Sequence, residues 1–405
     1  MRLLHTSDWH VGKRLRGESR ADEHRAVLAE IGSIAEREAV DAVLVAGDLF
    51  ETAAPGPESE AIVYQALLAL AEVAPVVVIS GNHDNPRRLA AVTPLLGLGR
   101  VRLLADVARP DDGGVVDLDI EGVTLRLALV PFVSKRGIVR ADALMRDQAY
   151  EMNQTYDERV RAVVDHLGAT FVADAVNVVC GHLFVGNGVL GGGERSAHTV
   201  MDYSVGAQAF PATANYVALG HLHRPQDIPG PTRIRYCGSP LQLDFGEGGD
   251  TKSVTIVDTG PGIPAEVREI PLAAGHRLRT LRGTIADLDA ARGTTGDDFL
   301  RVIATDTRRA GLADELRAWF PRAVDVRVEA PERARRRAAR PTDASPHDLF
   351  AAYLDDCEVD DERVLAAFDE LLDAADTVSV DEESPDGARA ATVGAPAAPP
   401  AEGAT

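Results

Sequence analysis

Residues 40–51 read VDAVLVAGDLFE. The apolar run from Ala42 to Ala46 shows no polar alternation, which predicts a strand buried on both faces of a sheet. It stops at Gly47, where the backbone can turn tightly, and a carboxylate, Asp48, follows at once. Working outward, the same pattern recurs. Leu3, Leu4 and His5 lead into SDWH at 7–10, and VVVISGNHD occupies 76–84. LRLALVPF follows at 125–132, VNVVCGHLF at 176–184, YVALGHLH at 216–223, RIRYCGSP at 233–240 and SVTIVD at 253–258. Each is a short run rich in Val, Leu and Ile that ends in a polar cluster. Helix-like segments from Ala21 to Glu38 and Glu58 to Glu72 lie between the early runs. Strand and helix alternate first and strands dominate later, so the fold class is α/β, with sheets covered by helices.

After about Pro264 the units shorten. FLRVIATD at 299–306, AGLADELRAWF at 310–320 and AVDVRVEA at 323–330 read as strand, helix and strand of a small α+β unit. The run ERARRRAARPTDASP, with Arg333, Arg335, Arg336, Arg337 and Arg340 before two prolines, reads as a linker. Two amphipathic helices are expected beyond it, with apolar residues at Leu349, Phe350, Tyr353 and Leu354 and at Val364, Leu365, Phe368, Leu371 and Leu372. From about Thr377 the chain is Ala, Pro, Gly and acid, a composition expected to be disordered. The expected divisions are therefore 1–262, 263–330, 331–345, 346–376 and 377–405.

A length of 405 residues predicts two domains and something smaller. No apolar run reaches membrane-spanning length, and MRLLHTSDWH does not read as a secretion signal, so a soluble, cytoplasmic protein is expected. Cys180, Cys237 and Cys357 are too scattered for a disulfide framework or a thiolate zinc cage. The net charge of −21 argues against phosphate binding until its distribution is considered. Residues 341–405 hold 17 acids against 2 arginines, so most of the acidity belongs to the tail.

The strand-end clusters hold the same few residue types: Asp8 and His10, Asp48, Asn82 with His83 and Asp84, His182, and His221 with His223. Ends on one side of a sheet converge in space, so these distant residues can form one site. Carboxylate and amide oxygens with imidazoles, and no thiolate, suit Mn, Fe or Zn at five or six coordination. Asp8, His10, Asp48, Asn82, His182, His221 and His223 exceed the needs of one ion, and a carboxylate such as Asp48 can bridge two. Two such ions activate water, orient a phosphate and neutralise the charge of an in-line displacement.

D-x-H, GDLF, GNHD, GH and GHLH, in this order, resemble the five signatures of the calcineurin-like metallophosphoesterases. SDWHVGKRL, VDAVLVAGDLFE, YVALGHLHRPQ and YCGSPLQLDFGE resemble, within that superfamily, the SbcD nucleases. The likeness is strong over roughly residues 1–260. It implies a four-layer α/β/β/α sandwich of two mixed sheets, a small α+β capping domain at 263–330 and C-terminal partner-docking helices. It also implies two Mn ions, one held by Asp8, His10, Asp48 and His223, the other by Asp48, Asn82, His182 and His221. His83 would then act at the scissile phosphate, with Asp84 orienting its ring.

The resemblance further implies a 3'-5' exonuclease and endonuclease acting on DNA ends in a nucleoid-associated SbcCD complex. The terminal helices would dock on SbcC, an SMC-like coiled-coil ATPase, through Leu349, Phe350, Tyr353, Leu354, Leu365 and Phe368. A homodimer within a heterotetramer would use segments Glu58 to Glu72 and Arg87 to Leu96. Only three lysines occur, Lys13, Lys135 and Lys252, so a phosphate grip must rely on arginine. Lys13, Arg14, Arg16, Arg87 and Arg88 follow ligand motifs and are the DNA-binding candidates; Arg333 to Arg340 reads first as a solvated linker. No aromatic-interleaved stacking platform is visible. Two other readings stay open: a phosphomonoesterase or cyclic-nucleotide phosphodiesterase with the same site, and a DNA-tethering scaffold with a structural metal.

Overall fold

The computed structural model describes residues 1–134, 137–138, 155–191, 194, 203–306, 309–329, 345–356 and 362–378. The arginine-rich segment through Ala344, Cys357 and everything from Ser379 onward lie outside the described residues. The chain forms two units, residues 1–331 and 332–405.

Two six-stranded mixed sheets build the first unit. In the first sheet Arg2–Thr6, Ala42–Ala46, Val76–Ile79 and Val101–Leu104 run parallel, and Ser253–Gly260 and Ile263–Pro271 add an antiparallel hairpin beside Arg2–Thr6. In the second, Val123–Val130, Val176–His182, Tyr216–Gly220 and Ile234–Tyr236 are parallel, with Val115–Ile120 and Gln226–Ile228 antiparallel at the edges.

The alternation of side chains along each strand explains the layers. Ala42, Leu44 and Ala46 enter a core between the sheets with Leu125, Leu127, Leu129, Val176, Val178 and Cys180. Val43 and Val45 point the other way, into a core with helices Ala21–Arg37 and Pro57–Val73. Helix Tyr156–Gly168, started by a Thr155–Glu158 capping box, covers the far face of the second sheet through Val160, Val163, Val164 and Leu167. A four-layer α/β/β/α sandwich follows because both faces of each sheet are apolar and each must be covered.

The expected boundary at 262/263 is corrected. Gly262, at φ 67°, closes a hairpin, and Ile263–Pro271 pairs residue by residue with Ser253–Gly260 in the first sheet. The small unit therefore starts later, with parallel strands Leu278–Gly283, Phe299–Ala304 and Ala323–Val328 connected by helices Ile285–Ala290 and Leu312–Trp319. It has its own core around Leu300, Val302, Leu312 and Leu316. A second cluster, Leu15, Phe245, Leu278 and Phe299, fastens it to the sandwich. In the second unit, helices Pro346–Asp356 and Glu362–Val378 contact each other, with Phe350 stacked on Phe368 at 4.1 Å. Among the described residues no helix is long and apolar enough to cross a membrane.

Candidate metal centre

The parallel strands of each sheet deliver their C-terminal ends to one side, and both sets of ends meet there. The backbone bends sharply at Asp8, His10, Asp48 and His221, which have positive φ values of 53°, 47°, 52° and 107°. Such conformations cost of order 1–3 kcal/mol each for residues with a Cβ and persist where the surroundings over-determine them. Gly81 is needed for close approach, since a Cβ there would collide with the Asp48 carboxylate. Asp8, His10, Asp48, His83, His182, His221 and His223 are all buried, and Asn82 is half-buried. Potential donor atoms of Asp8, His10 and His223 lie within 4.8 Å of one another, as do those of His10, Asp48 and His83 and those of Asp8, Asp48 and His182.

Hydrogen bonds determine which ring nitrogen faces inward. His10 Nδ1 lies 3.0 Å from Glu51 Oε2, and His182 Nδ1 lies 2.8 Å from the carbonyl oxygen of Ala46. Both partners accept only, so each Nδ1 carries the proton. Burial lowers the pKa of His10 to about 4 and that of His182 to about 3, so both rings are neutral and each Nε2 presents a lone pair. These two nitrogens stand 3.4 and 3.5 Å from the same carboxylate oxygen, Asp48 Oδ2. Among the described residues His10 Nε2 has no hydrogen-bond partner. Lone pairs facing a carboxylate oxygen repel unless a cation joins them. Ligands of one ion at ~2.1 Å bonds and near-right angles stand ~3 Å apart, so the spacing fits metal binding.

Asn82 Oδ1 lies 2.9 Å from His182 Nε2 and 2.7 Å from His221 Nδ1. Asp8 accepts the backbone N–H of His221 at 3.0 Å and the Ser7 hydroxyl. Burial pushes the Asp8 carboxyl up to about 7, a penalty that a bound divalent cation reverses. At His223 burial opposes the charged ring, but the bond to Glu247, with Glu247, Asp8 and Glu194 nearby, outweighs it and the pKa is raised.

The expectation that Asp84 orients the His83 ring is corrected. Asp84 accepts the backbone N–H groups of Leu49, Phe50 and Gly81, so it ties the second and third strand-end loops together. The His83 ring donates instead through Nδ1 to the carbonyl oxygen of Glu51 at 2.7 Å, and the His83 N–H binds Asp48 Oδ1 at 2.8 Å. Adjacent carboxylate and imidazole invite pairing on paper, but the tight turn points them apart.

The basic candidates have different partners. Lys13 is engaged with Glu51 at 2.9 Å, Arg88 with Glu60 at 2.8 Å and Arg16 with Asp325 at 3.4 Å. Arg14 donates to the carbonyl of Gly17, and Arg87 is exposed. The docking candidates also divide. Phe350 and Phe368 stack inside the helical hairpin, Leu354 is buried and Leu365 half-buried, whereas Leu349 and Tyr353 are exposed. Helix Pro57–Val73 and helix Pro86–Leu96 bury Ile62, Val63, Leu67 and Leu89 against their own sheet and leave Leu68 and Leu95 exposed, as is Leu98 in the short turn that follows.

Sequence reading missed Glu51, Glu247, Lys252, Glu194 and Phe132. Glu194 accepts the His223 N–H at 3.1 Å, and Phe132 stacks at 6.3 Å from His221. Phe184 and Tyr203 extend this aromatic wall, which no local interleaving announced. For Glu51 and Glu247 the available signal was position, because each closes a strand-end motif, GDLFE and DFGE.

A family model described as calcineurin-like phosphoesterase matches residues 1–225. The SbcD nuclease of the SbcCD complex from Bacillus subtilis is 39% identical over 284 residues, covering 69% of this chain and 71% of that protein. The SbcD nuclease of Rhodobacter capsulatus is 34% identical over 392 residues, covering 87% and 94%. That of Escherichia coli K12 is 30% identical over 313 residues, covering 72% and 73%.

Proposed function

We propose, from the premise that this chain belongs to the calcineurin-like phosphoesterases and within them to the SbcD nucleases, that it is a metal-dependent DNA nuclease partnered by SbcC. The observation that carries the chemistry is the Asp48 oxygen facing two imidazole lone pairs inside a buried cluster. In this reading Asp8, His10, Asp48 and His223 hold one ion, and Asp48, Asn82, His182 and His221 hold the other. The metal assigned is manganese, which suits mixed carboxylate, amide and imidazole donors. When bound, the ions supply an activated water and neutralise charge developing on the phosphate. His83, fixed by the Glu51 carbonyl and by Asp48, is assigned to stabilise the transition state or protonate the leaving 3'-oxygen. Asp84 contributes by holding the loops that carry Asp48 and Asn82.

The activity assigned is 3'-5' exonuclease on double strands and endonuclease on single strands and hairpins, in a cytoplasmic, nucleoid-associated complex. Leu349 and Tyr353 are the docking contacts that their exposure supports. Exposed Leu68, Leu95 and Leu98 support a homodimer within a heterotetramer. The test is cleavage of linear and hairpin DNA with Mn or Mg, with and without SbcC. His83→Asn is expected to lower the rate by on the order of 10²–10⁴-fold while both ions stay bound. Undiminished cleavage by both His83→Asn and Asp48→Ala would remove the proposal. DNA tethering that survives both substitutions while wild-type protein shows no hydrolysis would favour the scaffold reading.

A further inference from the structure

Two of the three lysines in this chain, Lys13 and Lys252, pair with carboxylates that also meet imidazoles of the cluster. Glu247 is fully buried, and its Oε1 lies 3.1 Å from His223 Nδ1. Its other oxygen pairs with Lys252 Nζ at 2.7 Å and accepts the Leu243 N–H at 3.0 Å. Lys252 closes the loop by donating to the carbonyl oxygen of His223 at 2.9 Å and to Ser239 Oγ at 3.0 Å. Phe245, two residues before Glu247, packs in the apolar cluster with Leu15, Leu278 and Phe299 and so ties down the short turn that carries the carboxylate.

The second arrangement repeats the first. Glu51 Oε2 meets His10 Nδ1 at 3.0 Å, and its Oε1 meets Lys13 Nζ at 2.9 Å. His182 Nδ1 meets the neutral Ala46 carbonyl, whereas His221 turns its Nδ1 inward, 2.7 Å from Asn82 Oδ1 and 3.3 Å from His182 Nε2. Among the described residues, carboxylate–lysine pairs stand behind His10 and His223, and a neutral carbonyl stands behind His182.

We propose that Glu247–Lys252 and Glu51–Lys13 are paired positioning clamps that fix His223 and His10 with Nε2 inward, so that the ion at Asp8, His10 and His223 is held more tightly than its neighbour. A carboxylate accepting the Nδ1–H fixes the tautomer and increases the basicity of the opposite nitrogen. The lysine neutralises the carboxylate, which lets it be buried without leaving an uncompensated charge. The inference rests on the ligand assignment proposed for the two ions.

The experiment measures Mn binding to the full-length protein by equilibrium dialysis and follows the bound ions by electron paramagnetic resonance. Wild-type protein is expected to bind two ions per chain, one tighter than the other. Glu247→Gln is expected to weaken the tighter ion by about 10–100-fold and to leave the other constant unchanged. Because that variant leaves Lys252 beside a neutral amide, Glu247→Gln/Lys252→Met restores charge balance and is expected to remain weak. Glu51→Gln, at the partly exposed clamp, repeats the test where the fold is less at risk. Wild-type constants in both glutamine variants would overturn the proposal. So would equal weakening of both ions together with a lower melting temperature of the ion-free protein, or full recovery in the double variant. Asp8→Asn separates the two readings. Loss of the same tight ion upholds the ligand assignment whatever the clamps do, and two unchanged ions would sink that assignment and the clamps with it.

Discussion

The two sheets contribute different chemistry to the place where they meet. The first supplies every oxygen donor of the proposed set, Asp8, Asp48 and Asn82, together with His10. The second supplies imidazoles alone, His182, His221 and His223. An oxygen-rich edge by itself would concentrate negative charge at a buried position, and an imidazole edge by itself would bring no charge to offset that of a divalent ion. Joined, they give a cluster whose charge suits divalent cations and whose neutral rings, His10 and His182, are kept neutral by burial. The site is therefore a property of the packing between sheets and not of either sheet.

The largest effect is expected from removing the shared oxygen. Asp48→Ala is expected to lower phosphodiester cleavage by on the order of 10³-fold or more, measured as initial rate at saturating Mn. It should also reduce the ions bound per chain. Retention of both ions would show that the first sheet is not the source of the bridge. On the other side, His182→Asn replaces one neutral donor with another and keeps the net charge. Mn affinity is expected to fall by about 10²-fold, and raising the Mn concentration should recover much of the rate. A loss that no amount of metal restores would make the second sheet more than a supplier of donors.

His5 sits between the sheets, with Nδ1 2.9 Å from the Tyr216 hydroxyl. Burial, aided by nearby Arg235, lowers its pKa to about 3 from an ordinary 6.5. The folded chain thus binds fewer protons here than the unfolded chain between those values. Its contribution to stability is complete above pH 6.5 and is lost as pH falls toward 3, at up to ~1.4 kcal/mol per pH unit. Urea midpoints at pH 7.0 and 5.5 are expected to differ less for His5→Gln than for wild type. An equal difference would place the acid sensitivity elsewhere. The smallest effect is expected at Arg87, the exposed cation beside the first sheet's third loop. Arg87→Ala should weaken binding to DNA of any sequence and reduce the salt slope by about one, read by fluorescence anisotropy across a salt series. No change in slope would remove it from the phosphate contacts.

Much of this was legible along the chain. Strand-length apolar runs ending in Gly, Asp, Asn or His predicted both the buried strands and the donors, because side-chain period and backbone turns are local properties. Residues such as Asp48 and His182 needed no knowledge of their neighbours to be singled out. The chain alone thus determined which atoms are available and that they sit at strand ends. How those atoms are used depends on the packing of the two sheets. His182 takes its tautomer from Ala46, 136 residues away, and His223 takes its own from Glu247, 24 residues on and itself tied to Lys252. Asp84 turned to backbone N–H groups instead of the adjacent ring, and Lys13 turned to Glu51 instead of solvent. Hydrogen-bond partners and ion pairs depend on distances of a few ångströms between segments that sequence separates, and such distances exist only once the sheets have packed.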